Sequence, residues 1–572
     1  MNKLILSLLL LAVVTLSLKA QDISQSIEYY RIYEFLDELA TDQVIELNTA
    51  VKPYSRKLIA DKLVEASLLS DQLSKRQRDE LAFFLNDFAL ERDRLPEGRV
   101  RLASNNKALA ALWPPAFHYR DSVFRARITP ILGMHLISNG NGTLDKRWFG
   151  AAFEGMVGNH FSFYGSLRDV SHGGADPLSK ATYLNDQPGY EYSHQKDYSD
   201  LRAGIKYSNS YLSIGLMKDK VSWGDNLHGS NILSGRAPSF PMLYLQLKPA
   251  SWFELNYFHG WLVSNVFDST NYYVDNLGAK HLRMYNKFIA ANLFTFTPIP
   301  RLKLSVGNSI VYAERNVIPA YFLPVAFYKS IDHTLNKGLG AENQNSQLFI
   351  NISSRNIRHL HLFASIFVDE MQFGRFLPDS PDRNPISWKL GGQLTNFPLQ
   401  NLSVQAEFTK TNIINYKHSI PALSYASNSY NLGHYMGDNA QELFLALRYK
   451  PIRGLDIQAS YVNALHGNDY EYIRHGFFNN TKASIIDIIS NPSPGDIIWR
   501  NSTFGFKATY ELFQNAYAIV QLDMSDIQTF DAESEVVFAE NRMTAQEVMD
   551  KYTPPMLQGK NTTLTIGFSL GF

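Results

Sequence analysis

The end of the chain alternates strictly between apolar and small polar residues. Leu564, Ile566, Phe568, Leu570 and Phe572 form one row, and threonine, serine and glycine fill the positions between them. A period of two is typical of a β-strand, and an apolar row opposite a polar one suits a strand between lipid and a wet lumen. The alternative is a strand of a soluble β-sandwich that happens to end the chain.

Residues 23 to about 95 follow a helical period instead. Apolar side chains recur every three or four residues over three segments. These segments are 29–39, 59–66 and 81–88. Ser55 is placed to cap the second helix, and Ser74 with Gln77 forms a capping box that opens the third. We predict three short helices that plug or steady the remainder of the protein, or that dock a partner.

From about residue 97 the period changes to two, and short connections alternate with long ones. The eight short turns lie near residues 158–159, 208–209, 249–250, 299–300, 354–355, 398–399, 451–454 and 513–514. The nine long connections are roughly 138–146, 171–199, 218–241, 263–284, 313–345, 369–386, 411–439, 465–501 and 525–561. The alternation predicts an antiparallel transmembrane β-barrel of about 18 strands, with both termini on the side of the short turns.

The amino terminus and the composition set further limits. Residues 1–20 read as a secretory signal peptide, followed by the helical bundle over 21–96 and the barrel over 97–572. With no cysteine, disulfides and thiolate metal sites are excluded. No later apolar run approaches the ~18 residues of a spanning helix. The 54 basic and 54 acidic residues leave no excess charge for nucleic acid.

The long connections suggest what the protein binds. Tyrosines stand beside amides, carboxylates and histidines at 190–194, 271–276 and 468–475, and such sets suit a sugar chain. Ordinary polar surface loops are the alternative. Residues 316–331 are too apolar to lie in water. We expect this segment to fold inward and help to close the lumen, or else to pack within the layer of loops.

Signals for enzymatic chemistry are weak. The chain lacks the common nucleophile, zinc-protease, phosphate-loop and calcium-loop motifs. The acidic pairs Asp379 with Asp382 and Asp523 with Asp526 resemble ordinary charged loops. We therefore expect no catalytic residues, no metal site and no cofactor, and we expect that the protein is not an enzyme.

Two longer motifs point to a family. One runs from Val221 to Asn226 (Val-Ser-Trp-Gly-Asp-Asn) and continues through residues 231–241, and the other is residues 432–443, beginning Leu-Gly-His-Tyr-Met-Gly-Asp-Asn. Together with Pro-Tyr-Ser-Arg at 53–56 and Arg-Ile-Thr-Pro at 127–130, they resemble the capsule assembly Wzi family, as a divergent branch of it. The resemblance covers essentially the whole mature chain.

That resemblance implies an 18-stranded outer-membrane barrel with a periplasmic helical bundle and an occluded lumen, acting as a surface lectin for capsular polysaccharide. The matched motifs suggest a set of polysaccharide-binding residues, for which structural roles in turns, girdle and strand contacts are the alternative. The set is Trp223, Asp225, Asn226, His228, Arg236, His434, Asp438 and Asn439. Trp223 would stack on a sugar, and the polar side chains would take hydroxyls or an acidic sugar's carboxylate.

The expected location is the outer membrane, with the termini in the periplasm and the long loops at the cell surface. Expected partners are surface polysaccharide, membrane lipid and, during biogenesis, the outer-membrane assembly machinery. The apolar terminal row of Phe568, Leu570 and Phe572 resembles the signal that this machinery recognises. The alternatives are an open pore or transporter and a component of surface adhesion or gliding motility.

Overall fold

A computed structural model describes most of the chain. The described residues are 22–104, 108–174, 197–314, 316–335, 344–369, 385–412, 415–418, 420–468, 497–532 and 543–571. The predicted signal peptide, the tyrosine-rich segment 190–194, most of 468–475, the pair Asp379 and Asp382, and Phe572 lie outside them.

Eighteen antiparallel strands close into a barrel, which confirms the predicted fold and strand number. Each strand pairs with the neighbouring barrel strands in the sequence, and the last closes on the first through Leu564 opposite Ser138 and Leu570 opposite Leu132. The barrel strands are β5 (Phe124–Asn139), β6 (Gly142–Val157), β7 (Phe161–Gly174), β8 (Asp197–Ser208), β9 (Leu212–Asp219), β12 (Phe240–Ala250), β13 (Phe253–Val274), β14 (Lys280–Ile299), β15 (Leu302–Tyr312), β16 (Gln344–Ser354), β17 (Leu360–Val368), β18 (Ile386–Thr395), β19 (Leu402–Thr411), β22 (Ala440–Tyr449), β23 (Leu455–Gly467), β24 (Ile497–Phe513), β25 (Ala516–Thr529) and β26 (Gly559–Leu570).

The terminal strand shows how the alternating pattern becomes a wall. Ile566 and Phe568 are exposed on the outward face of β26, whereas Thr563 and Ser569 are buried on the inward face. The same division holds on β16, where Ile350 is exposed outward. The apolar rows therefore form a continuous outer surface suited to lipid.

Short connections join the barrel strands at all eight predicted positions, and we call this side the short-turn end. Two predicted long connections are wrong. Residues 138–146 form a tight hairpin, because β5 runs to Asn139 and β6 restarts at Gly142. Residues 263–284 are mostly strand, because β13 and β14 stay paired as far as Val274 and Lys280. Cross-strand pairing, uninterrupted in the first hairpin and bulged twice in the second, extends both ladders further than their polar composition indicates.

Three further strands extend the sheet beside the first barrel strand. They are β2 (Val100–Ser104), β3 (Leu109–Trp113) and β4 (Ala116–Arg120). β4 pairs with residues 125–128 of β5, whereas the pairing with β26 covers residues 132–138. These strands therefore occupy the part of the β5 edge that the closing strand does not reach.

Five short α-helices are described, and three form the predicted amino-terminal bundle. They are α1 (Tyr30–Thr41), α2 (Arg56–Ser67), α3 (Lys75–Asp87), α4 (Tyr328–Leu335) and α5 (Ala545–Tyr552). The Ser55 side chain caps α2 by accepting from the Leu58 amide, and Ser74 with Gln77 makes the predicted capping box of α3. None of the described helices is long and apolar enough to cross a membrane.

The three-helix bundle, which we call the plug, packs against the barrel at its short-turn end. Its apolar core includes Tyr517 of the barrel wall. Glu34 of α1 receives a bidentate ion pair from Arg448, at 2.6 and 2.8 Å. Arg31 pairs with Glu80 of α3 at 2.7 Å and lies 3.5 Å from Asp456 of β23. The plug is thus joined to the barrel by buried charges as well as by apolar packing.

The apolar segment 316–331, which continues to the end of α4 at residue 335, does not fold inward and does not lie among the loops, so neither expectation for it is correct. It packs on the outward face of the wall, against Tyr257, Phe288 and Tyr312. Those side chains alternate along their strands with residues that line the interior, such as Phe258. Its apolar composition is explained by burial against the wall from outside.

Candidate functional site

The first matched motif lies inside the barrel. Between β9 and β12 the chain forms β10 (Ser222–Trp223) and β11 (Leu233–Ser234), which pair with each other. β10 also pairs with β1 (Val51–Lys52), the strand between helices α1 and α2 of the plug. The Gly224 amide donates to the Ala50 carbonyl at 2.8 Å. A connection from the end opposite the short turns therefore reaches inward and completes a small sheet with the plug.

Trp223 is the centre of this interior sheet. Its side chain is 1% exposed and packs edge-on against Phe258 of β13 and Phe349 of β16, with ring centroids 5.1 and 6.1 Å apart. A fully buried indole makes one of the largest apolar contributions that a single side chain can make. The structure therefore places Trp223 in the packed interior of the barrel.

Asp225 and Asn226 follow directly and are held by internal hydrogen bonds. The Asp225 carboxylate accepts from the Thr49 hydroxyl and, at 2.7 Å, from the Asn351 amide of β16. The Asn226 side chain donates to the Gly224 carbonyl at 2.8 Å. Both residues line a cavity of about 200 Å³ between the plug and the wall.

His228, which lies between the two parts of the first motif, and His434 of the second motif converge on the same acid. The His228 ring lies 3.0 Å from Glu442 of β22 and stacks on Phe444 at 4.4 Å, while the His434 ring lies 3.6 Å from the same carboxylate. Glu442 is buried, so these rings supply polar neighbours to a carboxylate removed from water. Sequence analysis had not identified Glu442.

The remaining predicted side chains are also buried. Asp438 accepts from the backbone amides of residues 415, 416 and 417, at 2.8 to 3.0 Å, and so fixes the turn of the chain before it. Asn439 has a positive φ of 48° and donates to the Asn468 carbonyl at 3.2 Å. The Arg236 guanidinium lies over the Tyr430 ring at 5.4 Å.

The two motifs meet. The Ser234 amide donates to the Leu432 carbonyl at 2.8 Å, and the Tyr416 hydroxyl donates to the Asn231 carbonyl at 2.7 Å. The structure thus brings the predicted residues of the two motifs together within the interior. Their direct contact with a polysaccharide stays a prediction.

A different surface projects from the end opposite the short turns. Beyond Gly260 and Phe288, β13 and β14 have no neighbouring barrel strand, so residues 261–287 form a two-stranded ribbon. Two bulges lengthen β13 relative to β14, so the length of the ribbon is set by the segment of β14 from Phe288 to Lys280, which corresponds to roughly 26 Å of strand. Its base is held by the Asn265 amide, which donates to Ser429 at 2.9 Å. The segment that supplies Ser429 contains β20 (Ala426–Ser427) and β21 (Tyr430–Asn431).

The outer part of the ribbon carries aromatic rings and cations. Tyr272 and Tyr273 are each 50% exposed. Lys280 lies over the Tyr272 ring at 3.8 Å, and Arg283 lies over the Tyr273 ring at 5.6 Å. His281 stacks on Tyr273 at 4.9 Å. Sequence analysis had identified the two tyrosines but not the cations, which become their neighbours only through cross-strand pairing.

The histidine and acidic side chains are the remaining candidates for a metal or catalytic site. Within the ranges that the structure covers, no group of three or more histidine, aspartate or glutamate side chains could hold a metal ion. Asp523 and Asp526 take amide hydrogen bonds from nearby glutamines of the same strand, at 2.6 and 3.1 Å.

The fold is similar to that of solved structures, although the sequence matches no known family. No protein-family model and no curated protein sequence matches the chain. Among solved structures, Wzi of Escherichia coli, an outer-membrane protein involved in group 1 capsule assembly and described as a carbohydrate-binding β-barrel, matches at a TM-score of 0.56 and 12% identity. The match covers 97% of this chain and 100% of that one.

Outer-membrane barrels of the Occ type match over a smaller part of the chain. OccD3 of Pseudomonas aeruginosa has a TM-score of 0.39 and 10% identity, over 77% of this chain and 90% of its own. OccAB2 of Acinetobacter baumannii has a TM-score of 0.40 and 10% identity, over 78% and 97%. With the Wzi match over almost the full length, the chain has the fold of a Wzi-like outer-membrane β-barrel.

Proposed function

We propose that this protein binds and organises capsular or other surface polysaccharide at the outer face of the outer membrane. In this proposal the ribbon and the long loops lie at the cell surface, and the plug and both termini lie in the periplasm. The observation that carries the proposal is the ribbon, which presents Tyr272 and Tyr273 half-exposed on a paired two-stranded scaffold.

The ribbon favours an acidic polysaccharide. An exposed tyrosine ring can stack on the C–H face of a sugar, and its hydroxyl can take a hydrogen bond. Lys280 and Arg283 lie against those rings, where they can also meet a carboxylate on the same saccharide unit. A strand scaffold keeps the groups in register, so less order is lost on binding than with a flexible loop.

The contents of the barrel favour binding over diffusion. The plug packs at the short-turn end, and the interior sheet around Trp223 occupies part of the lumen. An open pore would need a continuous polar channel past both. The eight residues predicted from the motifs contribute indirectly in our proposal, because they hold the two inward segments that support the ribbon's base.

The remaining partners follow from the barrel itself. We propose that lipid covers the outward rows, and that the assembly machinery reads the terminal strand through Phe568, Leu570 and Phe572. We also propose that the protein catalyses no reaction, and the ribbon requires none for the role given to it.

The proposal is tested by binding of the detergent-solubilised protein to capsular polysaccharide from its own source, with an unrelated polysaccharide as control. Tyr272 and Tyr273 are consecutive and so lie on opposite faces of the ribbon, and replacing both by alanine should weaken binding by about 1 kcal/mol, roughly fivefold, when the glycan stacks on one of the two rings. The combination of Lys280→Gln and Arg283→Gln should reduce the dependence of binding on salt. Tyr211→Ala is the matched control, since Tyr211 is similarly exposed at the short-turn end.

The outcomes separate the possibilities. Selective binding that the ribbon variants lose and Tyr211→Ala keeps would support the proposal. Equal binding of both polysaccharides, or none, would refute it. Binding unchanged in the tyrosine variant would remove the ribbon from the site. Reconstitution in planar bilayers should give no open-pore conductance, and a steady large conductance would favour the diffusion pore.

A further inference from the structure

The segment packed on the outside of the wall, residues 316–335, is called the outer strap. It contains a 3-10 turn, Pro319–Phe322, and helix α4. The strap covers part of β13 to β15 on the face that looks away from the lumen. The opposite row of these strands includes Phe258, which contacts Trp223 inside the barrel. The assignment of the strap to the outside follows from this alternation.

The wall beneath the strap carries polar side chains in a row that should be apolar. Asn292 of β14 and Asn308 of β15 are cross-strand partners in the outward row, with exposed Val306 two residues before Asn308. Both asparagines are buried. An amide facing hydrocarbon without partners would cost several kcal/mol, so these residues need a local explanation.

The strap's backbone supplies that explanation. The Asn292 and Asn308 amides both donate to the Ala326 carbonyl, at 2.8 and 3.2 Å, and the Tyr328 amide donates to the Asn308 side-chain oxygen at 2.9 Å. The Tyr257 hydroxyl donates to the Tyr321 carbonyl at 3.0 Å. Irregular backbone is stable at membrane depth only where its polar groups are satisfied by protein. The outward asparagines satisfy the Ala326 carbonyl and the Tyr328 amide, and turns within the strap satisfy its amides at 321, 323, 326 and 330.

The other side of the strap is apolar and exposed. Leu323, Val325 and Phe327 face away from the wall, and Val325 is 66% exposed. They continue the outward apolar row that Val306 and Ile350 form on the adjacent wall. The patch is thus part of the surface that meets lipid in a membrane barrel.

The height of the outer strap along the barrel wall also places it among lipid. Asn308 lies six residues along β15 from Leu302, the first residue after the short turn. At ~3.4 Å per residue and a tilt of ~40°, it stands about 15 Å above that turn, inside an apolar band about 25 Å tall.

We propose that the outer strap is embedded in the bilayer and binds the acyl chains of outer-membrane lipid through Leu323, Val325 and Phe327. The wall asparagines hold it in place by satisfying its backbone. Continuity with the lipid-facing row selects lipid as the occupant rather than a second copy of the protein. The inference is independent of polysaccharide binding and needs only the membrane barrel.

The absence of cysteine makes a direct test possible. A nitroxide spin label is attached to Val325→Cys in the full chain reconstituted in liposomes, and its relaxation by oxygen and by a water-soluble nickel chelate is compared. Ile350→Cys on the bare wall is the lipid control, and Leu277→Cys at the ribbon tip, 94% exposed, is the water control. The oxygen-to-nickel ratio for Val325→Cys should lie within twofold of the lipid control and several-fold above the water control.

A second variant tests the anchoring. Asn292→Ala with Asn308→Ala, in the Val325→Cys background, should lower the oxygen-to-nickel ratio or increase the label's mobility while the barrel remains heat-modifiable on a gel. A ratio for Val325→Cys that matches Leu277→Cys would overturn the proposal. Strong dipolar broadening between labels on separate molecules would overturn lipid as the occupant and indicate a second copy.

Discussion

Trp223→Ala tests whether the interior sheet is held by packing. The side chain is 1% exposed between Phe258 and Phe349, so its removal deletes a complete buried indole. Truncations of this kind cost about 3 to 5 kcal/mol. Since ~1.4 kcal/mol is a factor of ten, the population with the inward segment released should rise by about two to three and a half decades.

Hydrogen exchange measures that population. The amides of Gly224 and Ser234 donate to Ala50 and Leu432, so their exchange requires the segment to detach. When reclosing is faster than exchange, the exchange rate follows the open population, and both amides should exchange at least a hundredfold faster in the variant.

Trp252→Ala is the matched control, because Trp252 is 58% exposed in the turn between β12 and β13. It should leave the exchange of Gly224 and Ser234 unchanged. A rise of less than about tenfold for Trp223→Ala, in a barrel that remains heat-modifiable, would refute the packing argument. Trp223 would then again be a candidate for direct contact with sugar.

Three further predictions concern the plug. Burial alone would raise the pKa of Asp37 and Glu38, but Arg355 beside Asp37 and Arg76 with Lys450 beside Glu38 lower both below their usual values. The stabilisation from these two carboxylates is complete above their pKa values in the unfolded chain, which are near 4, and it is lost as the pH falls toward their lower pKa values in the folded protein. Proteolysis of the plug should therefore accelerate below about pH 4. Ser74→Ala should cost about 1 kcal/mol through the lost cap of α3, measured by exchange of its first-turn amides. Arg448→Met should lower the free energy that holds the plug in its packed state by about 3 to 5 kcal/mol, because it leaves Glu34 and Asp456 without their shared cation. Pulse proteolysis measures this loss.

Each of these three predictions about the plug can be contradicted by a specific result. Plug proteolysis that is independent of pH between 7 and 3 would mean that these acids are not paired in solution. Exchange at the start of α3 unaffected by Ser74→Ala, or an Arg448→Met plug as resistant as the parent, would show that apolar packing alone holds the bundle.

The barrel could be predicted from the sequence because its signal is local. Alternation in β26 and the positions of the eight short turns depend only on neighbouring residues. The interior sheet could not, because β10 pairs with a two-residue strand some 170 positions earlier and its own composition is unremarkable. The motif residues were identified from the sequence, but neither their spacing nor their chemistry distinguishes interior from surface.

The outer strap shows a similar limit. An apolar segment must be buried somewhere, but its composition is the same for a lumen, a loop layer or an outer wall. The informative signal was elsewhere, in the outward rows of β14 and β15, where Asn292 and Asn308 interrupt apolar residues. The ribbon was identified only in part, since Lys280 and Arg283 reach the tyrosines through strand pairing.

Arg31 has a consequence for how the protein is made. Its guanidinium lies near carboxylates at positions 80, 456 and 511, so two of its three partners are more than 400 residues further along the chain. During synthesis the amino-terminal helices emerge long before those partners, and a cation left half-compensated stays hydrated rather than buried. The bundle therefore reaches its final packing only once the last strands have arrived. Packing of the amino-terminal helices is thus timed by the arrival of β23 and β24, which carry Asp456 and Glu511.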